Sequence, residues 1–256
     1  MPDAITTHAP ERQPLRDAHR TRVPSRNPLL PWDLFLYGAE RTPEAWAEAT
    51  LTAHYFRMGH RYAITPTRAE AFELMALTGF PVIPHARVGD ERFQNPVFDE
   101  VVVYTSDYGG HVGMDKQRCS RAQALTDWPG ALCSAFVGAH AGLSFRLLKV
   151  GTVSLCIRMN SDGDWRSNVG AGHAEWHPEP IRADLGDTLE TLLGPLWAVD
   201  FVQDSSGALW AVDFNTTPGV TGIDALLSYR AFGPEGLVGP ISEWFARHPL
   251  PLPEAT

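Results

Sequence analysis

The 256-residue chain is 44% hydrophobic and 20% charged, a composition that supports a globular protein with a real core. A formal net charge of −9 argues against nonspecific nucleic-acid binding, which needs a positive surface to displace counterions. No run reaches the roughly 18 apolar residues of a membrane span, and Cys119, Cys133 and Cys156 lack the spacing of a disulfide framework, so a reducing cytoplasmic setting is expected.

The first 26 residues are polar and rich in Pro and Arg, without the apolar stretch of a secretory signal, and read as a tail. Thr42-Pro43-Glu44 marks a helix start, with Thr as N-cap and Pro at the first helical position, leading into residues 44–58. Thr65-Pro66 repeats the device before a helix over 67–79, for which Gly79 can end the last turn. Residues 80–84 (FPVIP) read as extended. Strands are expected at 101–105, 131–137, 145–150 and 152–159, the last two joined by a tight turn at Val150-Gly151. A loop rich in Gly, His, Trp and Pro follows over 160–180. An amphipathic helix is expected at 181–193, strands at 197–203 and 208–215, and a helical region over about 224–247. Antiparallel hairpins with flanking helices make the class α+β.

The last hairpin has an unusual face. With 204-DSSG-207 as a four-residue turn, Gln203 faces Ala208, Asp200 faces Ala211 and Asp213 faces Ala198. Period-two alternation then puts Ala198, Asp200, Val202, Leu209, Ala211, Asp213 and Asn215 on one face, and Trp197, Val199, Phe201, Trp210, Val212 and Phe214 on the other. Asp200 and Asp213 become diagonal neighbours, roughly 7–8 Å apart at Cα. Two close carboxylates repel unless one protonates or a cation sits between them. Mg²⁺ suits such a pair, because it accepts a few protein oxygens together with phosphates and water. A solvated face whose acids only confer solubility satisfies the same spacing, and both readings stay open at this level.

Three ordered stretches resemble a known family. Residues 197–220, WAVDFVQDSSGALWAVDFNTTPGV, are similar to the C-terminal signature of ATP-grasp ligases, an Asp strand followed by a Glu-x-Asn-x-x-Pro-Gly strand and turn. Residues 146–172 are similar to the family's two Arg strands and its (Phe/Trp)-Arg-(Ser/Thr)-Asn loop, and residues 67–84 to its opening helix. The flavour is that of ribosomal-protein glutamate ligases and related peptide-modifying enzymes. The resemblance implies an ATP-grasp fold whose two α+β lobes grip a nucleotide: a reduced pre-grasp region over 1–66, an N-terminal lobe over 67–134 and a C-terminal lobe over 135–256. It implies ATP with Mg²⁺ (or Mn²⁺) as cofactors, and a carboxylate–amine ligase acting through an acyl phosphate. An amino acid, peptide or protein tail would be the acceptor, and a homodimer is expected by analogy.

Carried over by position, Asp200, Asp213 and Asn215 would hold metal, and Arg158, Arg166 and Asn168 would lie at the transferring phosphoryl group. Arg forks match phosphate oxygens and stabilise developing charge. Arg68, Tyr104, Gly109, Gly110, Lys116, Ala135, Val137 and Arg146 fall at nucleotide-contacting positions. The pattern also departs. Asp213 replaces a Glu, Arg68 and Tyr104 stand where lysines are usual, and 134-SAFV-137 lacks the acid that meets ribose. Lys116, beyond the Gly109-Gly110-x-x-Gly113 loop, is the candidate to supply the missing charge. Tyr104 and the missing hinge acid favour an alternative, a module that binds a ligand or partner without turnover, and the retained Asp200, Asp213, Asn215, Arg158, Arg166 and Asn168 oppose it; a phosphotransferase on the same site is a third reading.

His173-Ala-Glu-Trp-His177 lacks the spacing of a zinc helix and is flanked by Gly and Pro, so it reads as a loop bordering the substrate pocket. Cys133 and Cys156 sit in apolar strands and read as inert core. Trp165 and Trp176 are the tryptophans placed to touch substrate.

Overall fold

The computed structural model describes residues 67–107, 115–138, 142–167, 173–177, 181, 195–215 and 238–248. The elements expected at 44–58, at 182–193 and over 224–237 lie outside them. So do Gly109, Gly110, Asn168 and the Thr216–Gly219 turn.

Helix α1 (Arg68–Leu77) starts one turn device later than expected, because Thr67 rather than Thr65 is its N-cap. The Thr67 hydroxyl accepts from Glu70 N–H while the Glu70 carboxylate accepts from Thr67 N–H, a closed capping box. Its buried positions, Arg68, Ala71, Phe72 and Met75, follow the i, i+3, i+4, i+7 spacing of one helix face. Gly79, at φ +85, turns the chain out of the helix, a conformation that costs glycine least.

Two antiparallel sheets follow. The first comprises β1 (His85–Arg87), β2 (Glu100–Tyr104), β3 (Lys116–Ser120) and β4 (Leu132–Ala135), in the order β1-β4-β2-β3. Strand β2 is buried on both sides, which accounts for its unbroken Val-Val-Val-Tyr run. Val101 and Val103 pack with Phe93, Phe98, Ala124 and Cys133 under two short 3₁₀ turns and helix α2 (Arg121–Asp127). Val102 and Tyr104 join the larger core with Phe72, Phe145, Trp197 and Phe201. Strand β3 and helix α2 were not legible as elements. KQRCS is too polar to read as a strand, and α2 is a short helix whose start is marked by Ser120 accepting from Gln123 N–H.

The second sheet contains β5 (Leu143–Val150), β6 (Val153–Asn160), β7 (His173–Trp176), β8 (Leu196–Gln203) and β9 (Leu209–Asn215), in the order β7-β6-β5-β8-β9. Strand β7 corrects the loop expected over 160–180: His173–Trp176 pairs with β6 as an edge strand. Among the described residues no group of three or more His, Cys, Asp or Glu side chains is arranged to hold a metal ion. No helix among them is long and apolar enough to cross a membrane.

The extended 80–84 segment joins the sheets. Ala211 N–H donates to Pro81 O at 2.7 Å and Ile83 N–H donates to Ala211 O at 3.1 Å, so it runs parallel to β9. The chain then enters β1, and Ala135 N–H donates to Pro84 O at 2.8 Å. Phe80 packs on Phe201 at a ring-centroid distance of 5.7 Å.

The tight β5–β6 turn sits against helix α3 (Val238–Arg247). Gly151, at φ +56, donates to Pro195 O, and Thr152 N–H donates to Pro240 O. A Cβ at Gly151 would lie 1.9 Å from Pro240 O and 2.1 Å from its carbonyl carbon, with backbone on the other side of the clash. Gly151→Ala is expected to cost about 3 kcal/mol from strain plus overlap. That corresponds to a fall of roughly 6–12 °C in Tm. A Tm within 2 °C of wild type (about the shift of 1 kcal/mol at most) would refute the packed turn.

Candidate functional site

The face of the β8–β9 hairpin is set by its turn and one bulge. Asp204 accepts from Ser206 N–H, Ser206 Oγ, Ala208 N–H and Trp210 Nε1, which holds its carboxyl at about 2. With Gly207 at φ +87, Asp204 pairs with Ala208 around a three-residue loop, so Gln203 faces Leu209 rather than Ala208. A bulge at Val212 then shifts the register again, between the Phe201–Ala211 and Asp200–Asp213 pairs. Asp200 and Asp213 are therefore directly opposite, not diagonal, with Asn215 across from Ala198. The expected face changes as well: Leu209 and Ala211 move to the Phe201 side, while Trp210 pairs with Val202.

Opposed carboxylates need cations, and each has its own. Arg146, the β5 neighbour of Asp200, makes a fork with it: Nε to Oδ1 at 2.7 Å and Nη2 to Oδ2 at 2.8 Å. Asp200 raises the Arg146 guanidinium above its ordinary range, so the cation is permanent. Asp213 Oδ2 meets Lys116 Nζ and Arg68 Nη1, both at 3.3 Å. Burial disfavours the Asp213 carboxylate, but Lys116 and Arg68 outweigh it and hold Asp213 below the usual carboxylate range. Arg68 is 4% exposed and anchored at 2.7 Å by Asp115, itself 8% exposed. Asp115 was missed from the sequence, where it is a lone acid at the end of a Gly-rich loop.

Tyr104 is the cross-strand partner of Lys116. Its hydroxyl shares a 3.0 Å hydrogen bond with Ser134 Oγ, and the Arg68 guanidinium lies 4.6 Å over its ring. Burial pushes the phenol up, so it stays neutral. Lys116 thus enters the site from β3, across from the tyrosine.

These groups floor one end of a cleft of about 790 Å³, counting its open mouth, between the two sheets. Tyr104, Lys116, Arg166, Ser167, Asp200 and Asp213 form its polar lining together with Ser134 and Ser144. Ile83, Val102, Ala135, Phe136, Val137, Leu143, Met159, Trp165, Val202 and Val212 make the rest apolar. A lining that combines charged and apolar side chains suits an amphipathic ligand with a flat body and an anionic tail. Phe136 and Trp165 meet edge-on at 6.1 Å, with the Arg118 guanidinium 3.7 Å over the Phe136 ring.

Arg166 lines this cleft and Arg158 does not. Arg166 is aimed by its own loop, forking Asp164 through Nε at 3.0 Å and Nη2 at 2.8 Å, and its hydrogen bonds hold Asp164 at about 2. The loop is folded over Gly142, whose N–H donates to Trp165 O, and Ser144 and Ser167 share a hydroxyl hydrogen bond. Arg158 pairs across strands with Phe145, one residue out of step with Arg146 and Asp200. It therefore stands on the opposite face of the sheet, 45% exposed and paired with Glu175 at 2.9 Å. Trp165 borders the cleft. The cysteines are buried, with the Cys133 thiol pushed up to about 12 by burial, which fits inert core.

Two opposed carboxylates and the nearby Asn215 amide are oxygen donors of the kind Mg²⁺ accepts, and an oxygen that accepts one guanidinium N–H keeps a second lone pair. They are too few to enclose an ion. The donor set fits a cation that arrives with phosphate oxygens and water.

Removing only one member of a half-buried pair leaves the other charge uncompensated. Arg146→Met is expected to destabilise the chain by about 2–4 kcal/mol. Adding Asp200→Asn should restore at least half of that in urea unfolding; a double variant no more stable than the single one would show that the pair does not compensate charge.

No protein-family model matches the chain, and no curated protein matches it by sequence. Its fold does match solved structures. A RiPP-associated ATP-grasp ligase from Chryseobacterium gregarium, in complex with ADP and a leader and core peptide, matches at TM-score 0.51 and 11% identity over 78% of this chain. The ATP-grasp ligase PsnB with a minimal precursor gives 0.49 and 13% over 79%, and a RimK domain ATP-grasp protein from Sphaerobacter thermophilus gives 0.43 and 19% over 75%. This chain covers 62%, 71% and 69% of those three chains, respectively. At these identities the likeness is one of fold, and it agrees with the two antiparallel sheets on either side of a cleft. The chain is an α+β protein with the ATP-grasp fold.

Proposed function

We propose that this chain is an ATP- and Mg²⁺-dependent carboxylate–amine ligase, with Mn²⁺ as a possible substitute metal. The observation that carries the reading is the cleft itself: its lining combines the apolar side chains of residues 135–137 with Lys116, Asp200 and Asp213, and Arg68 backs Asp213 from beneath the surface. The apolar walls suit a purine ring, and the cations suit a phosphate chain. Asp200, Asp213 and Asn215 would hold Mg²⁺, which when bound neutralises phosphate charge and polarises the phosphoryl oxygens. Lys116 and Arg68 supply the fixed positive charge on that floor. Arg166, oriented by Asp164 and lining the same cleft, is assigned to the developing charge on the transferring phosphoryl group and the acyl phosphate. Arg158 is left out of this assignment because it faces away. Gly109, Gly110 and Asn168 keep the roles that the sequence resemblance implies.

The carboxylate and amine partners are assigned by class: an amino acid, a peptide or a protein tail. The ADP, leader and core peptide bound by the Chryseobacterium enzyme support a nucleotide and a peptide as ligands here. A second reading, binding without turnover, draws on one observation: Asp213 is already satisfied by Lys116 and Arg68.

The deciding assay is ADP release with Mg²⁺-ATP across a panel of amino acids and peptides. An acid-stable amide product is expected with the matched pair, and a stable phosphorylated product would favour a phosphotransferase. ATP binding without ADP under any acceptor would favour the binding module. Asp213→Ala and Arg166→Ala should each lower kcat/KM about 100-fold or more, as losses of groups at the phosphoryl charge do. Arg158→Ala should stay within about 3-fold, since a surface ion pair contributes little. Equal losses at Arg158 and Arg166 would overturn the assignment of the two arginines.

A further inference from the structure

The loop that follows β6 folds back over the start of β5. Ser161 N–H donates to Gly142 O and Gly142 N–H donates to Trp165 O, both at 2.9 Å. Gly142 sits at φ +85, and a Cβ there would lie 2.5 Å from Asp164 O and 2.6 Å from Ser161 O, so the loop closes on bare backbone. The hydroxyl hydrogen bond between Ser144 and Ser167 fastens its far end. Trp165 meets Phe136 edge-on at 6.1 Å, and the Arg166 guanidinium, 5.6 Å from the Trp165 ring, is fixed by its fork to Asp164.

This loop and the strands beneath it make one corner of the cleft, lined by Leu143, Ser144, Met159, Trp165, Arg166 and Ser167. Ser144 and Met159 are cross-strand partners, so their side chains share a face. Arg146, two residues along β5, shares it too, which puts the corner about 7 Å along the strand from the fork on Asp200. Among the described residues lining the corner, Arg166 is the one charged side chain, the two hydroxyls bond each other, and Leu143, Met159 and Trp165 are apolar. A planar guanidinium held in place matches a carboxylate. The three apolar neighbours suit an uncharged body behind it. A second carboxylate brought here would leave water without a second cation in the corner to meet it, and an ammonium would face Arg166.

We infer that this corner receives the carboxylate substrate and selects acids with an aliphatic or aromatic body over those that carry a second charge, with Trp165 as the specificity-determining residue. The inference rests on the ligase reading and names a substrate class within it, but the selectivity itself is a property of binding.

N-acetylated amino acids test this, because the blocked amine leaves the carboxylate as the reacting end. Calorimetry in the presence of ADP and Mg²⁺ reads their binding without turnover. N-acetylphenylalanine and N-acetylleucine should each bind at least about 10-fold tighter than N-acetylglutamate and N-acetyllysine, the scale on which an apolar pocket separates side chains. Trp165→Ala should weaken the apolar pair about 10-fold and leave N-acetylglutamate unchanged, so that the preference falls below about 3-fold. Trp165→Phe should retain the preference, and Arg166→Met should weaken all four acids alike. Met159→Gln, of similar length, should also lower the preference, and it carries the test if circular dichroism shows Trp165→Ala to be misfolded.

A wild type that binds N-acetylglutamate as well as the apolar acids, or a folded Trp165→Ala that keeps the full preference, overturns the corner even if the protein makes amides. Apolar selectivity without ADP release from Mg²⁺-ATP supports the corner and overturns the ligase reading. Binding of none of the four acids overturns the corner, and amide formation from another class of carboxylate would then leave the ligase reading standing.

Discussion

Asp200 and Asp213 stand directly opposite each other on β8 and β9, and like charges so placed destabilise a sheet. The hairpin cannot relieve this itself, because neither strand carries a cation. Arg146 comes from β5, within the same sheet, whereas Arg68 comes from α1, which packs on β9, and Lys116 from β3 of the other sheet. Compensation of one strand pair thus couples the two halves of the fold. The cleft floor is where the halves must meet, which makes it a structural joint.

Backbone bonds reinforce the joint from another direction. Residues 81–83 exchange hydrogen bonds with Ala211, one residue from the bulge that brings Asp213 opposite Asp200. The chain then passes into β1, so the segment that leads into the first sheet is also a partial strand beside β9. A covered edge resists pairing with other chains. It also fixes the height at which Ile83 enters the cleft beside Val102 and Val212. The apolar slot and the charged floor are therefore positioned by the same few residues.

Much of this was legible, and the losses have physical causes. The α+β class, the helix after residue 67 and the acidic hairpin face follow from capping residues and period-two alternation. The hairpin register did not, because Asp204 spends its carboxylate on four donors and sets a three-residue loop, and because nothing in Trp-Ala-Val-Asp announces a bulge. The face of Arg158 was within reach. Pairing Val150 with Val153 puts Arg158 opposite Phe145, out of phase with Arg146, so parity alone separates the two arginines. Asp115 carried no signal, since one acid beside one lysine is ordinary until folding buries it against Arg68.

Tyr104 shows why position in sequence and position in space need separate treatment. The resemblance to ATP-grasp ligases expects a lysine on β2, and a tyrosine there reads as a lost charge. In the fold, Tyr104 and Lys116 are directly paired across β2 and β3, so their side chains share one face and their Cβ atoms lie about 5 Å apart. A lysine stem spans that distance, and the ammonium reaches the floor from the neighbouring strand. Tyr104 then takes the role its own chemistry allows: a neutral, buried ring beneath Arg68 whose hydroxyl is satisfied by Ser134. The pair thus places a cation at the floor and packing surface at the β2 position. A charge required by an anionic ligand is a requirement on a point in the cleft, and adjacent antiparallel strands offer two sequence positions that satisfy it.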